Sequence, residues 1–192
     1  MRKTEREKNI EKGAKWLAKS EPLYLQREGE AYYISDGHYI AQVAGGVYDA
    51  IFRTASPRFI ELQDGEKAGA FDKKALPTKN SGVNLQKYMK DFQAEAAQVV
   101  DVTPYIMELQ NGPAVRVMFR TDGERVFINN EYWQYLAPFG NGLTLFTGAK
   151  LNSPVISEGT ETALLILPVN RAGIYERFEV IDTRAAGATT AA

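Results

Sequence analysis

The residues that could carry out chemistry are few and far apart in the sequence. His38 is the only histidine and there is no cysteine. Catalysis and metal binding require several reactive side chains at one place, and no spacing here brings a nucleophile, a base and a carboxylate together. We therefore interpret His38 as a strand residue and predict no enzyme, no metal site and no cofactor. A hydrolase with an unrecognised carboxylate site is the alternative from the enzyme class.

Two acidic residues and a glycine pair have structural explanations. Asp36 and Asp122 each precede a glycine, and a short carboxylate side chain in that position bonds nearby backbone N–H groups of a turn. Gly45-Gly46 lacks the Gly-Lys-Ser/Thr sequence of a phosphate-binding loop. None of these residues indicates an active site.

A row of positive charges is the strongest candidate for binding. Four lysines recur at helical spacing near the start of the chain: Lys8, Lys12, Lys15 and Lys19. They form either a solvated helix face, where Glu5, Glu7 and Glu11 dilute the charge, or a surface that contacts phosphates. Arg116, Arg120 and Arg125 either extend such a surface or are ordinary cross-strand charges.

The lysines belong to the first of the predicted helices. Thr4 and Glu7 have the spacing of a capping box, and apolar residues recur on one face of residues 4–20, before Pro22. A second helix is predicted at residues 84–97, with Asn84 as its cap. A third helix, with Asn129 or Asn130 as its cap, runs to Leu136, before Pro138 and Gly140.

The strands are predicted from alternation and from turn residues. Residues 23–43 contain strands joined by turns at Gly29 and Gly37, with Tyr32, Ile34, Tyr39 and Val43 as packing residues. Further strands are predicted at residues 47–52, 58–62, 99–109, 115–120, 125–128, 143–147 and 163–169, with turns at residues 111–113 and 122–123. The stretch 64–82 is predicted to be an exposed excursion. This order indicates an α+β protein with antiparallel sheets.

Two hairpins share a local sequence. Ser35-Asp36-Gly37 and Thr121-Asp122-Gly123 both mark turns between predicted strands. Asp-Gly is a common way to make such a turn, so the similarity by itself does not establish an internal duplication.

Composition limits the class of protein. The chain has 192 residues, of which 44% are hydrophobic and 24% charged, and its formal net charge is -1. The longest apolar run is far below the roughly 20 residues of a membrane span, which predicts a cytoplasmic protein without a membrane partner. With so small a net charge, an electrostatic partner needs a local patch. Residues 181–192, rich in Ala, Gly and Thr, are predicted to be a disordered tail.

Several segments together are similar to one known family. Residues 33–41 resemble a strand segment of bacterial sliding clamps, the beta subunit of DNA polymerase III, which has a Thr-Asp-Gly-His-Arg-Leu-Ala type of sequence. Residues 126–136 resemble the clamp pattern of a strand, an Asn and a helix near a Tyr-Leu pair. Residues 153–156 and 165–169 resemble its Ser-Pro-Val strand and its terminal Ile-Met-Pro-Val ending.

The resemblance implies a DNA-clamp-like domain, in which helices pack on curved antiparallel sheets and copies join edge to edge around DNA. It implies one domain at residues 1–180 with an insertion around residues 56–98, or at most a compressed pair of domains. A complete ring then needs several chains, so we expect a homo-oligomer. In clamps, inward helices carry basic residues that meet double-stranded DNA without sequence preference. The lysines of the first helix match that role, whereas the helix at residues 130–136 contains Glu131 and no basic residue.

The resemblance also implies a partner site. Clamps receive short peptide motifs of replication proteins near the terminal strand, and Leu167, Pro168 and Val169 match that position. The other interpretation is that these residues belong to the core. We expect a noncatalytic processivity or assembly factor associated with DNA replication. The alternative is a structural or interaction module of a phage or mobile element that has a clamp-like fold and does not bind DNA.

Overall fold

The structure is a computed structural model that describes residues 3–80, 82–108, 112–140, 143–150, 153–159, 162–169 and, for the backbone alone, 180–182. The helices described are α1 (Glu5–Leu17), α2 (Gly45–Ala55), α3 (Leu85–Glu95) and α4 (Asn130–Leu136). The strands described are β1 (Leu23–Glu28), β2 (Ala31–Ser35), β3 (Tyr39–Ala44), β4 (Lys67–Ala70), β5 (Thr78–Lys79), β6 (Gln98–Met107), β7 (Val115–Arg120), β8 (Arg125–Asn129), β9 (Thr144–Thr147), β10 (Val155–Glu158), β11 (Thr162–Ile166) and β12 (Val180–Asp182).

Helix α1 begins as predicted and ends earlier, at Leu17 rather than at residue 20. Thr4 and Glu7 form the predicted capping box, in which each side chain accepts a hydrogen bond from the backbone N–H of the other. At the other end, the buried guanidinium of Arg58 donates to the carbonyls of Ala18 and Ser20. These bonds satisfy carbonyls beyond the helix, so the chain leaves α1 before it reaches Pro22.

The strands predicted in residues 23–43 are confirmed. β1, β2 and β3 form an antiparallel meander, and Gly29 (φ 57°) and Gly37 (φ 94°) take positive φ at its two turns. Ile34, Tyr39 and Val43 are buried. The meander therefore has the inward face that the sequence predicts, with Tyr32 half-buried beside it.

The strand predicted at residues 47–52 is wrong, because this segment lies in α2. Val47, Tyr48, Ile51 and Ala55 are the buried residues of the helix, at spacings of three and four. A short apolar run fits a strand and a helix alike, and only its continuation to Ala55 reveals the helical period.

The strand predicted at residues 58–62 is also wrong, since no strand forms there. Phe59 and Leu62 are buried, which explains the apolar pattern. Arg58 is buried as well, and its guanidinium also donates to the carbonyl of Asp72 at 2.7 Å.

The segment 64–82 is not simply an exposed excursion. It contains β4, which pairs with β1 and buries Ala68 and Ala70. Alanine and glycine have low strand propensity, and β4 consists mainly of these residues, so its position depends on its partner strand.

The second part of the chain follows the predicted order. Asn84 caps α3 and Asn129 caps α4, each by a side-chain oxygen that accepts from a backbone N–H two or three residues later. β6, β7 and β8 form a second antiparallel meander, and Gly123 at its last turn has a φ of 85°. The turn predicted at residues 111–113 begins outside the described residues.

All described strands belong to one antiparallel network. The order is β5-β4-β1-β2-β3-β11-β10-β9-β6-β7-β8, with β12 paired to β6. β11 joins the two meanders, because it pairs with β3 on one side and with β10 on the other. Beyond β11, Pro168 bridges Ile128 of β8, and the Val169 N–H donates to the Phe127 carbonyl at 2.7 Å. The sheet therefore curves back toward its own end.

Helices cover both faces of this sheet. α1, α2 and α4 pack on one face, where Leu17, Ile51 and Leu136 are fully buried. α3 packs on the opposite face through Leu85 and Met89. The predicted fold class, α+β with antiparallel strands and packed helices, is confirmed.

The predicted tail needs one correction. Ile181 and Asp182 were expected to be disordered, but both lie in β12, which pairs with β6. Backbone hydrogen bonds hold this strand, and these leave no signature in side-chain composition. Residues 183–192 lie outside the described residues.

The domain boundaries stay a prediction. Within residues 56–98, predicted as an insertion, β4 and β5 extend the sheet from β1 and α3 covers its opposite face. This segment therefore shares the core of residues 1–180 that are described.

Candidate nucleic-acid interface and apolar cavity

Three of the four predicted DNA-binding lysines are aligned on α1, and the fourth, Lys19, lies beyond the end of the helix. Lys8, Lys12 and Lys15 fall within about 60° of arc on α1 at 3.6 residues per turn, and Lys19 follows the C-cap residue Ala18. All four side chains are exposed. We call this set the lysine stripe.

The members of the lysine stripe differ in their contacts. Lys8 pairs with Glu5 at 3.2 Å, and the Lys12 ammonium lies 5.4 Å from the centroid of the Tyr135 ring. Within the part of the chain that the structure describes, Lys15 and Lys19 have no ion pair. These two are therefore the ammonium groups most available to an external anion.

Helix α4 lies beside α1 and adds aromatic side chains instead of positive charge. Its first turn contains the exposed Glu131, and it has no basic residue. Tyr132 and Tyr135 project toward Trp16 of α1. Helix α4 thus does not extend the lysine stripe.

Four rings from three elements form a continuous row, which we call the aromatic row: His38, Tyr132, Trp16 and Tyr135. Successive ring centroids are 6.4, 5.6 and 5.2 Å apart, and the first and last pairs are stacked. The three larger rings are half-buried, and the side chain of His38 is 70% exposed. Lys12 lies at the Tyr135 end, so the aromatic row and the lysine stripe meet.

The sequence did not reveal the aromatic row. The prediction that His38 is a strand residue is wrong, because His38 lies in the turn before β3. The concentration of aromatic residues in α4 was the available signal. It is equally typical of a packed helix, and only the contact with Trp16 and His38 distinguishes a row of rings.

Asp36 lies beside this row with its side chain 12% exposed. Burial raises the pKa of Asp36, and the hydrogen bond from the His38 N–H, 2.8 Å long, opposes this effect. His38 Nδ1 is 3.8 Å from the carboxylate. Burial also raises the pKa of Tyr132, and the charge of Asp36 adds to that rise. Asp36 therefore holds the turn, as predicted, although burial disfavours its charged form.

The arginines do not form a continuous basic surface. Arg120 is 6% exposed, and its guanidinium forms a two-pronged pair with Asp122. The hydrogen bond from Arg120 lowers the pKa of Asp122. Arg116 is half-buried and donates to polar atoms of β6 and α4. Arg125 alone of the three is exposed.

A cavity of about 370 Å³ lies between α3 and the face of the sheet that α3 covers. Its lining is chiefly apolar and includes Tyr24, Val83, Tyr88, Phe92, Leu165 and Leu167. Of the predicted partner-binding residues, only Leu167 lines it. Pro168 bridges β8, and Val169 packs on a separate small cluster on β7 and β8. Although the three residues are consecutive, they contact different parts of the structure and do not line one site.

The described residues contain no other arrangement that suggests chemistry. No three His, Asp or Glu side chains among them come close enough to hold a metal ion. Gly45 and Gly46 begin α2, where they continue the chain directly from β3. None of the described helices has the length and apolar character needed to cross a membrane.

The fold defines an α+β protein in which two three-stranded meanders, each followed by a helix, share one antiparallel sheet. Comparison with solved structures returns beta subunits of DNA polymerase III. One is a putative beta subunit from Eubacterium rectale, with a TM-score of 0.46 and 11% identity over 86% of this chain and 64% of that chain. The resemblance seen in the sequence is thereby confirmed as a distant and partial one.

Two further solved structures are similar. The beta subunit of Borrelia burgdorferi, in complex with a natural product, has a TM-score of 0.36 and 8% identity over 87% of this chain and 62% of that chain. The beta subunit of Streptococcus pyogenes has a TM-score of 0.33 and 9% identity over 85% and 63%. The chain spans less than two thirds of each of these structures. No family model matches the chain, and no curated protein matches it significantly.

Proposed function

We propose that the protein is a noncatalytic, clamp-like binding protein that associates with double-stranded DNA through α1. The observation that carries this proposal is the lysine stripe, an exposed set of ammonium groups of which three are aligned on α1 and in which Lys15 and Lys19 have no described ion pair. Such groups attract phosphates whatever the base sequence. Because the net charge of the chain is only -1, this attraction is local to α1.

The size of the stripe supports an assembly of several chains. Lys8 to Lys15 span about 10 Å at 1.5 Å per residue, whereas one turn of duplex DNA is about 34 Å long. One chain therefore contacts only part of a turn. We propose a homo-oligomer in the cytoplasm, acting as a processivity or assembly factor in DNA replication, where contacts without sequence preference let the protein move along the duplex.

Charge reversal of the lysine stripe tests the proposal. Duplex binding is measured as a function of salt for the wild-type protein and for a variant in which Lys8, Lys12, Lys15 and Lys19 are replaced by Glu. We expect the affinity of the wild type to fall steeply with salt and the variant to lose binding, since the stripe supplies the phosphate contacts.

A second charge-reversal variant is the matched control. It replaces four exposed lysines away from α1, namely Lys73, Lys74, Lys87 and Lys90, and we expect it to bind duplex DNA far better than the stripe variant. Equal binding by the two variants, or no binding by the wild type at low salt, would contradict the proposal.

The second candidate is a structural or interaction module of a phage or mobile element that does not bind DNA. It is favoured by α4, which carries Glu131 and no basic residue, and by Arg116 and Arg120, which are committed to internal partners. An intact oligomer in solution together with no DNA affinity at low salt supports this candidate.

The apolar cavity supports a peptide-binding role, with Leu167 as the remaining member of the predicted partner site. Tyr88 stands at its rim with 51% of its surface exposed. A library of short apolar peptides is selected against the protein, and we expect the binders to lose affinity for Tyr88→Ala. They should retain it for Tyr105→Ala, an exposed tyrosine on β6 outside the cavity. An equal loss of peptide affinity in both variants argues against the cavity as the peptide-binding site.

A further inference from the structure

The aromatic row has two ends, His38 and Tyr135. At one end His38 stacks on Tyr132 with one face, while 70% of its side chain is exposed. This imidazole lies in a turn and also lines the apolar cavity, and its exposed part is accessible to a further planar group.

At the other end, a lysine lies over the last ring. Tyr135 stacks on Trp16 with an interplanar angle of 18°, and the Lys12 ammonium lies over the ring. Lys12 is exposed, and a cation on a ring at an exposed site is held weakly. A planar ligand can therefore replace Lys12 on Tyr135, and the released ammonium remains beside it.

The positive charge lies along this same edge of α1. On the helix, Trp16 follows Lys15 directly, and Lys12 contacts the aromatic row itself. Ring faces beside ammonium groups are the combination by which proteins hold single strands, because bases stack on the rings while cations meet the phosphates.

We propose that this face binds single-stranded DNA in preference to duplex DNA of the same length, with unpaired bases stacked on His38 and Tyr135 and the lysine stripe on the phosphates. The inference rests on the proposed function and specifies which form of DNA the site takes. In a duplex, the base faces are already stacked on each other and cannot reach the rings. Unpaired bases can, so the aromatic row contributes to binding only when the strand is single.

The test uses oligothymidine of about 12 nucleotides, within the length covered by single-strand binding domains, and a duplex of equal length. A Trp133→Phe variant of the full chain leaves Trp16 as its only tryptophan. Because Trp16 stacks on Tyr135, a base that stacks on Tyr135 changes the surroundings of Trp16. In this background, oligothymidine is expected to change Trp16 fluorescence, and the duplex to bind more weakly and change it less.

Two variants remove the stacking faces. His38→Ala and Tyr135→Leu are each expected to weaken oligothymidine binding roughly 5- to 100-fold, the effect of losing one stacked base, with a smaller effect on the duplex. His38 is exposed, so His38→Ala tests the inference even if Tyr135→Leu lowers stability. Tyr105→Leu, on β6, is the matched control and should bind like the parent protein.

The outcomes separate this inference from the proposed function. Duplex binding without a preference for oligothymidine, or oligothymidine binding that His38→Ala and Tyr135→Leu leave unchanged, overturns the inference and leaves the duplex-binding proposal standing. Absence of binding to either DNA overturns both. Stronger binding of oligothymidine that the two variants reduce and Tyr105→Leu does not supports the stacking site.

Discussion

At the residue scale, two aspartates in corresponding turns have opposite electrostatic surroundings. Asp36 is largely buried, and its carboxylate accepts a hydrogen bond from the His38 backbone N–H. Asp122 instead accepts two hydrogen bonds from the buried guanidinium of Arg120. Burial raises the pKa of Asp36, whereas Arg120 lowers the pKa of Asp122. Their substitutions should therefore change stability in opposite directions.

Asp36→Asn is expected to raise the thermal midpoint at neutral pH. Because the folded-state pKa of Asp36 lies above the unfolded value of about 4, its contribution to stability is complete below that value and is lost as pH rises through the folded pKa. The asparagine is uncharged throughout and can still accept from the His38 N–H. Its advantage over the wild type should disappear in acid, as measured by thermal unfolding across pH.

Asp122→Asn is the complementary measurement. The lowered pKa means that the contribution of Asp122 is present above the unfolded value and is lost as pH falls through the folded pKa. The variant is therefore expected to be less stable than the wild type at neutral pH, with the difference shrinking in acid. If both variants shifted the midpoint in the same direction at neutral pH, the assigned causes would be wrong.

The sequence was sufficient to predict the turns of these aspartates and the alignment of Lys8, Lys12 and Lys15, because both depend on neighbours within a few residues. It did not predict the pKa directions. Those depend on α4 covering Asp36 and on Arg120 reaching Asp122, and burial of this kind arises only when separate elements pack together.

At the element scale, α1 lies unusually close to the end of α4. A Cβ atom added at Gly13 would be 2.7 Å from the Tyr135 carbonyl oxygen and 2.8 Å from the ring of Phe139. The carbonyl belongs to the backbone and cannot rotate away. Glycine at this position therefore sets the separation of the two helices that carry the lysine stripe and the aromatic row.

Gly13→Ala is expected to destabilise the protein by about 1–3 kcal/mol, the usual effect of overpacking. Gly46→Ala is the matched control, because a Cβ atom there meets nothing within 4 Å and the residue lies in α2. Its expected effect is a gain of up to about 1 kcal/mol from helix propensity. Chemical denaturation compares the two, and equal stability of both variants would contradict the close contact.

Elements with strong local signals were predicted well, and elements defined by their partners were not. The capped helices α1 and α3 and the strands beside Asp-Gly turns carry their own signals. α2 was mistaken for a strand because its apolar run is short, and β4 was missed because alanine and glycine signal no strand. The aromatic row combines rings from α1, α4 and a turn, so no single segment of the sequence indicates it.

At the scale of the whole molecule, the same unit occurs twice. β1, β2 and β3 are followed directly by α2, and β6, β7 and β8 are followed directly by α4. The two Asp-Gly turns lie at equivalent places, between the second and third strands of each meander. The shared turn sequence is thus part of a larger structural correspondence between the two meanders and their helices. The remaining residues of the two units differ, so the sequence alone does not show this correspondence.

The position of β11 has a consequence for biosynthesis. Its partner β3 emerges from the ribosome on the order of a hundred residues earlier. One edge of β3 therefore stays unpaired until β11 has been synthesised. Closing so long a segment is entropically slow, and a waiting strand edge can pair with another nascent chain. Slow translation between α2 and β11 therefore prolongs the period in which chaperones have to keep newly made chains apart.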